Sequence, residues 1–284
     1  MKMQDIFTHT FKAMRHELGH DRAGDARPLW QRRLSCESPF CRALVANGYL
    51  SQEQMQRVAL RYRLGMSRDG GVIFWQIDEH DVIHDGKIMY YRDDCHRDHD
   101  RKPSWVSYQL RRAGMLPEDW KSEHCLFGQH QIKTQQQTHP QPLPAGRGAV
   151  TSFAEESACN SIGSPPSQGG AGGGSAYCIV ESEKTAVIMS AVRPEYTWLA
   201  TGGKTELSVA RLKPLAGRRV ILFPDTDETG DTYREWYDVA AAAGDIFGHP
   251  VTVSSLLERQ ATQAQKAAKI DIVDLFFSPT PHSI

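Results

Sequence analysis

Val180-Glu181-Ser182-Glu183-Lys184-Thr185 and Phe223-Pro224-Asp225-Thr226-Asp227-Glu228-Thr229-Gly230 are the two segments whose reading decides the fold. Each closes a short apolar run, residues 176–180 and 220–223, and each leads into a helix-competent stretch. The pattern is strand, carboxylates, helix, twice over. Side chains two apart on a strand share a face, so Asp225 and Asp227 are expected to point the same way, with Thr226 pointing elsewhere. If the strand ending at Val180 lies parallel and adjacent, Glu181 reaches the same crevice beyond the carboxyl ends, where open α/β sheets bind ligands. Two unit charges about 4 Å apart repel by roughly 4 kcal/mol at an effective dielectric near 20, so three converging carboxylates either take up protons or hold a cation. Oxygen-only ligands suit Mg²⁺ or Mn²⁺, which share their shell with substrate phosphates, and the expected substrate is a phosphodiester or nucleotide. Taken alone, Asp225-Thr226-Asp227 also reads as an ordinary helix cap or turn. The second acidic strand end at Glu181, with a βα pattern between, is what favours a site.

Outward from these segments, residues 176–284 read as an α/β domain. Strands over 177–180, 197–200, 220–223 and 250–254 alternate with helices over 183–191, 206–212 and 231–243. Right-handed crossovers make this a mostly parallel sheet with helices on both faces. Thr201, Gly202 and Gly203 permit either a tight turn or a close approach of amides to a phosphate.

This order of elements resembles the TOPRIM domain of primases, topoisomerases and related nucleases. The resemblance implies that Glu181 is the general acid/base or metal-proximal glutamate and that Asp225 and Asp227 are the metal-binding pair. A third acidic element usually follows, and Asp271-Ile272-Val273-Asp274 before Leu275-Phe276-Phe277 looks like it. Upstream, Gly70-Gly71-Val72-Ile73-Phe74-Trp75-Gln76-Ile77, Asp85-Gly86-Lys87-Ile88-Met89-Tyr90, Lys102-Pro103-Ser104-Trp105 and Cys125-Leu126-Phe127-Gly128 match in order the signposts of the bacterial-type primase core. In that family a small α/β subdomain, here residues 40–133, precedes the TOPRIM domain and grips template strand. Residues 44–65, with Leu50-Ser51-Gln52-Glu53-Gln54 opening a helix, look like its leading helix.

The resemblance implies primase-like nucleotidyl transfer, with RNA primers made on single-stranded DNA and nucleotides as substrates. Lys87 and Lys102 gain a phosphate-gripping role from it, and Gly202, Gly203 and Lys204 a phosphate-facing position. Lys184 offsets Glu181 and Glu183, meets a substrate phosphate, or is simply solvated. The chain departs from the family at Thr185, where many primase-type sequences carry Asp. No zinc is expected: the cysteines at 36, 41, 95, 125, 159 and 178 contain no Cys-x-x-Cys pair. With no Gly-x-x-x-x-Gly-Lys-Ser/Thr loop there is no helicase motor, and a separate helicase is the expected partner. Compact relatives of this kind resemble those of plasmids and other mobile elements. Two other readings stand beside primer synthesis: a TOPRIM nuclease on the same scaffold, and a nucleic-acid-binding relative without chemistry.

The 284 residues are 40% hydrophobic, enough for one substantial core or two smaller ones, and two are favoured here. The net charge of -1 argues against a uniformly basic nucleic-acid binder. No signal-like start and no apolar run near the length of a membrane span is present, so a cytoplasmic protein without membrane contact is expected. Residues 1–39 read as a basic flank, expected to be helical near Ile6 to Leu18, that carries Lys12, Arg15, Arg22, Arg27, Arg32 and Arg33. In residues 92–112, Arg97, Arg101, Lys102, Arg111 and Arg112 interleave with Trp105 and Tyr108, as in single-strand grooves, but Asp93, Asp94, Asp98 and Asp100 also make it a mixed-charge loop.

Residues 134–175 are crowded with Gln, Pro, Gly and Ser and read as a disordered linker, inserted between the two halves. Loop-closure entropy rises by only about 0.6 kcal/mol per doubling of length. Deleting residues 136–174 should therefore leave the thermal midpoint of the chain nearly unchanged; a large drop in a melting experiment would show that the segment packs.

Overall fold

Residues 36–116, 121–132 and 176–277 are described by a computed structural model of the chain. The basic flank, up to residue 35, and the segment read as a linker lie outside the described residues. Helix α1 (Pro39–Ala46) starts where local chemistry directs it, with proline in its first turn and the Ser38 hydroxyl accepting from the Cys41 N–H at 3.3 Å. Helix α2 (Gln52–Arg61) is opened by a reciprocal cap: Gln54 N–H donates to the Ser51 hydroxyl and Ser51 N–H to the Gln54 side chain.

Strands β1 (Gly65–Met66), β2 (Val72–Ile77), β3 (Ile83–Met89) and β4 (Ser104–Trp105) form an antiparallel sheet in that order. Alternation along β2 sorts its side chains. Val72 and Phe74 join the core under α1 and α2, while Ile73, Trp75 and Ile77 pack with Leu110 of helix α3 (Val106–Arg112) on the other face. Gly86 sits opposite Trp75, and a Cβ there would lie 2.8 Å from the indole ring and from Ile73, so the bulky face of β2 demands glycine on β3. The fully buried Asp85 accepts from Ser107 N–H (3.0 Å), the Ser107 hydroxyl and the Ser122 hydroxyl (3.1 Å). It thereby caps α3, whose preceding Trp105 offers no side-chain bond.

The second sheet is parallel. Strands β5 (Tyr177–Val180), β6 (Thr197–Ala200), β7 (Val220–Phe223) and β8 (Thr252–Val253) lie in the order β6-β5-β7-β8. Helices α4 (Glu183–Val192) and α9 (Ile272–Phe277) cover one face, against Cys178, Val180, Trp198, Ala200, Ile221 and Phe223. Helices α5 (Val209–Leu212) and α6 (Asp231–Phe247) cover the other, against Ile179, Leu199, Val220 and Leu222. Between β8 and α9 run two short helices, α7 (Leu256–Gln260) and α8 (Gln263–Ala267). The expected mostly parallel sheet flanked by helices is observed, with three differences of detail. The helix read over 206–212 is split into a 3₁₀ turn (Lys204–Glu206) and α5, which the Ser208 hydroxyl caps by accepting from Arg211 N–H. Helix α6 continues past residue 243 to a left-handed Gly248. Strand β8 is short because only Thr252 and Val253 find partners on β7.

The expectation of two separate cores is not met. One cluster runs from Phe40 and Leu44 through Phe74 and Phe127 to Val180, Trp198 and Val273, so both halves share it. Three polar contacts align them. Phe127 and Ala200 exchange backbone bonds at 2.9 and 3.1 Å, covering the open edge of β6. The buried Tyr62 hydroxyl donates to the Trp198 carbonyl at 2.7 Å. Lys87, on β3, reaches Glu183 at the start of α4 at 3.0 Å and donates to the Gly202 carbonyl at 2.6 Å. No described helix is long and apolar enough to cross a membrane.

Glu183 is buried, at 4% side-chain exposure, and Lys87 is partly buried, at 15%. Removing one partner of a buried pair strands the other charge, at a cost of about 3–5 kcal/mol. Lys87→Met should thus lower the stability measured by urea unfolding by that order, and Lys87→Met/Glu183→Leu should recover most of it; a single variant as stable as wild type would refute the role of the pair.

Candidate functional site

The register of the parallel sheet decides what stands at its carboxyl edge. Val180 pairs with Ala200 on one side and Phe223 on the other, so β5, β6 and β7 end level. Chain order reverses at β5, with β6 on one side and β7 on the other, and this is the switch point of the sheet. Glu181 leaves the end of β5 and Asp225 follows β7 by two residues, on the two sides of that point.

The Asp225 backbone N–H is directed at the Glu181 carboxylate. Burial pushes the Glu181 carboxyl up from its usual 4.5 to about 6; the Asp225 N–H and Lys204 draw it down, and Asp227 and Glu235 add to the rise. Its Oε1 is buried without a hydrogen-bond partner among the described residues. Asp225 is raised well above the ordinary carboxylate range, first by desolvation and then by the charges of Glu181, Asp271 and Asp274, with Lys184 opposing.

The third acidic element arrives through a tertiary contact. Thr226 N–H and hydroxyl both donate to the Ile270 carbonyl, at 3.0 and 3.2 Å, bringing residues 271–274 beside Asp225. Asp271 and Asp274 each accept the other's backbone N–H at 3.0 Å, and the buried Thr185 hydroxyl donates to Asp271. Thr185, the departure noted in the sequence, is thus the partner of one carboxylate of the cluster. Asp274 is raised by burial and by Asp271, while Lys184 and His96 lower it.

Asp227 takes a different role from Asp225, and the expectation that they share a strand face is corrected. Strand β7 stops at Phe223, so side-chain alternation does not extend to residue 227. The Asp227 carboxylate accepts from Thr229 N–H and hydroxyl (both 3.1 Å), Asp231 N–H (2.9 Å), Thr232 N–H (2.8 Å) and the Thr232 hydroxyl. Burial alone would raise its pKa, but Thr232, Asp231 and Thr229 hold it far below the ordinary range. Asp227 supplies the cap of α6 that Gly230, without a side chain, cannot. Two lysines flank the acidic row: Lys204 lies 3.6 Å from Asp227, and Lys184 acts on Asp225 and Asp274.

The other residues read as phosphate contacts are engaged elsewhere or stand apart. Lys87 is consumed by Glu183 and Gly202. Gly202, at φ +87°, has a Glu183 oxygen 3.0 Å from where its Cβ would be, and its N–H donates to the Glu181 carbonyl. Gly203 N–H is directed at the Thr201 hydroxyl, so this is a tight turn rather than a cradle of open amides. Lys102 is exposed beside β4. In the basic-aromatic stretch, Arg101 lies over the Tyr90 ring at 3.6 Å and Trp105 packs tilted against His124 at 4.4 Å.

Among the described residues no three His, Cys, Asp or Glu side chains are grouped closely enough to hold a metal ion. The donors nonetheless suit a hard dication that keeps most of its water. Such an ion is bound through one or two carboxylates together with substrate phosphates, and Glu181 and Asp225 are the two whose charge the fold leaves least compensated.

A family model described as "Domain of unknown function (DUF6371)" matches residues 38–141 and 174–226, more than half of the chain. The match takes in Glu181 and Asp225 and passes over residues 142–173. No curated protein and no solved structure matches the chain.

The opposite shifts of Asp225 and Asp227 have opposite consequences. A carboxyl raised in the fold binds more protons there than when unfolded, so stability falls as pH climbs from the unfolded value through the folded one; a depressed carboxyl contributes stability that is lost as pH falls. In EDTA at pH 7.5, Asp225→Asn and Glu181→Gln should raise the thermal midpoint and Asp227→Asn should lower it. The gain from Glu181→Gln should shrink as pH drops through about 6 towards 4.5. Equal effects at the two pH values would contradict the assignment.

Proposed function

We propose that this chain, which belongs to the DUF6371 family, is a TOPRIM-like, metal-dependent protein acting on nucleic acid, most specifically by primase-like nucleotidyl transfer. The observation that carries this reading is the orphaned, buried oxygen of Glu181 facing a desolvated Asp225 across the switch point of a parallel sheet. Two carboxylates so placed resist joint ionisation unless a cation shares them. Glu181 and Asp225 would hold Mg²⁺ or Mn²⁺, with Asp274 alongside. The ion would supply charge stabilisation to phosphate oxygens during an in-line displacement.

The chain's own residues supply the rest. Glu181 is the carboxylate proposed to assist proton movement from an attacking hydroxyl, through whichever of its oxygens the ion would leave free. Lys184 and Lys204 border the acidic row from two sides, where a phosphate would need counter-charge. Asp227 fixes the start of α6 and positions Lys204. Strand separation falls to a separate helicase, and replication of a plasmid or other mobile element in the cytoplasm is the proposed setting.

A second reading, nucleic-acid binding without turnover, draws on one specific observation: Asp227 and Asp271 already spend their oxygens on internal donors. One experiment separates the readings. The chain is incubated with Mg²⁺ or Mn²⁺, single-stranded DNA and labelled ribonucleotides, and Mn²⁺ binding is titrated in parallel. New labelled oligomers mark primer synthesis, shortened template marks a nuclease, and Mn²⁺ binding without either marks the non-catalytic relative. Glu181→Gln/Asp225→Asn should abolish product and weaken Mn²⁺ binding at least tenfold; equal Mn²⁺ affinity in wild type and double variant would remove the metal assignment.

A further inference from the structure

Beside the acidic row, a crevice of about 370 Å³ opens between the loop after β7, the first turns of α6 and the helices after β8. We infer that it seats one nucleotide unit of a single strand, with the base against Tyr233 and its phosphodiester between Arg234 and Lys266. The choice of ligand class rests on the nucleic-acid reading above; the place and orientation rest on the crevice itself.

Its position ties it to the carboxylates. Thr229, in its wall, donates to Asp227 through both N–H and hydroxyl, so the crevice and the acidic row share a boundary. A strand seated here would pass its neighbouring phosphate towards Lys204, which stands 3.6 Å from Asp227.

The aromatic residues have no packing reason to be where they are. Helix α6 buries Thr232, Trp236, Ala240 and Ala243, whereas Tyr233 lines the crevice and Tyr237 is 57% exposed one turn further on. Their rings stack at 6.5 Å with 26° between planes. This makes a two-step aromatic ladder leading out of the crevice, the arrangement on which successive bases stack irrespective of sequence.

The cations are held in advance. Arg234 donates to the Thr229 carbonyl at 3.0 Å and pairs with Asp231, while Lys266 lies 2.5 Å from Glu258 at 19% exposure. Among the lining residues Glu228 and Glu258 match the two cations in number, so a phosphodiester would draw on the donors that Arg234 and Lys266 keep beyond their internal pairs. The lack of net positive charge disfavours the several charges of a triphosphate. The volume lies at the lower end of small-ligand pockets, sized for one unit rather than a folded oligomer.

The test uses the full chain in EDTA and fluorescence anisotropy of labelled short oligo(dT), with unlabelled dTMP and dTTP as competitors and Mn²⁺ binding measured separately. Tyr233→Ala should weaken oligo(dT) roughly tenfold, the loss of one base stack. Tyr233→Phe should retain wild-type affinity, and Tyr237→Ala, an exposed change that leaves the core intact, should weaken binding as well. Competition by dTMP in excess of dTTP would support a seat for a single phosphate group; stronger competition by dTTP would overturn it. Wild type failing to bind oligo(dT), or Tyr233→Ala and Tyr237→Ala both binding as tightly as wild type, would overturn the crevice assignment. Unchanged Mn²⁺ affinity in Tyr233→Ala keeps the two hypotheses apart, because loss of the metal site alone would leave the tyrosine dependence standing.

Discussion

Val180 and Phe223 pair in register at the centre of the parallel sheet, and that pairing brings Glu181 and Asp225 into a proximity that two negative charges resist. The surrounding structure manages the conflict locally. A backbone N–H from Asp225 is directed at Glu181 and the charges of Lys204 and Lys184 oppose the rise, although the Thr226 contacts to Ile270 set two further carboxylates beside Asp225. What is left is a buried oxygen without a donor and an aspartate driven towards its neutral form. Clusters of desolvated carboxylates that retain such a penalty are the ones where function is expected to supply the missing partner.

Asp225 and Asp227, two residues apart, show how far environment outweighs residue type. One is desolvated among like charges; the other is surrounded by threonine hydroxyls and backbone N–H groups at the start of a helix. The cap reading of Asp225-Thr226-Asp227 therefore applies to Asp227, while Asp225 stands among the other carboxylates.

The two halves of the chain act on the site together. Lys87 belongs to the antiparallel sheet, yet its partners are Glu183 and the Gly202 carbonyl, which flank Glu181 from the start of α4 and the turn after β6. With Phe127 bridged to Ala200 and Tyr62 bonded to Trp198, the first half fixes the loops from which the carboxylates project. The antiparallel half is thus the mechanical support of the acidic row.

Local signals carried much of the architecture. The apolar runs 177–180, 197–200 and 220–223 became strands residue for residue, and Ser51 with Gln54 marked the start of α2, because strand burial and helix capping depend on neighbours a few positions away. Glu181 and Asp225 were legible for the same reason, as acidic ends of such runs. The partners of Lys87, Thr185 and Thr226 lie 96, 86 and 44 residues along the chain, and no spacing rule links them. The sequence by itself determined which residues stand at the carboxyl edge of the sheet. Only the tertiary structure decided which of those carboxylates are desolvated and which are satisfied, since burial and long-range donors, not spacing, set the cost of a charge.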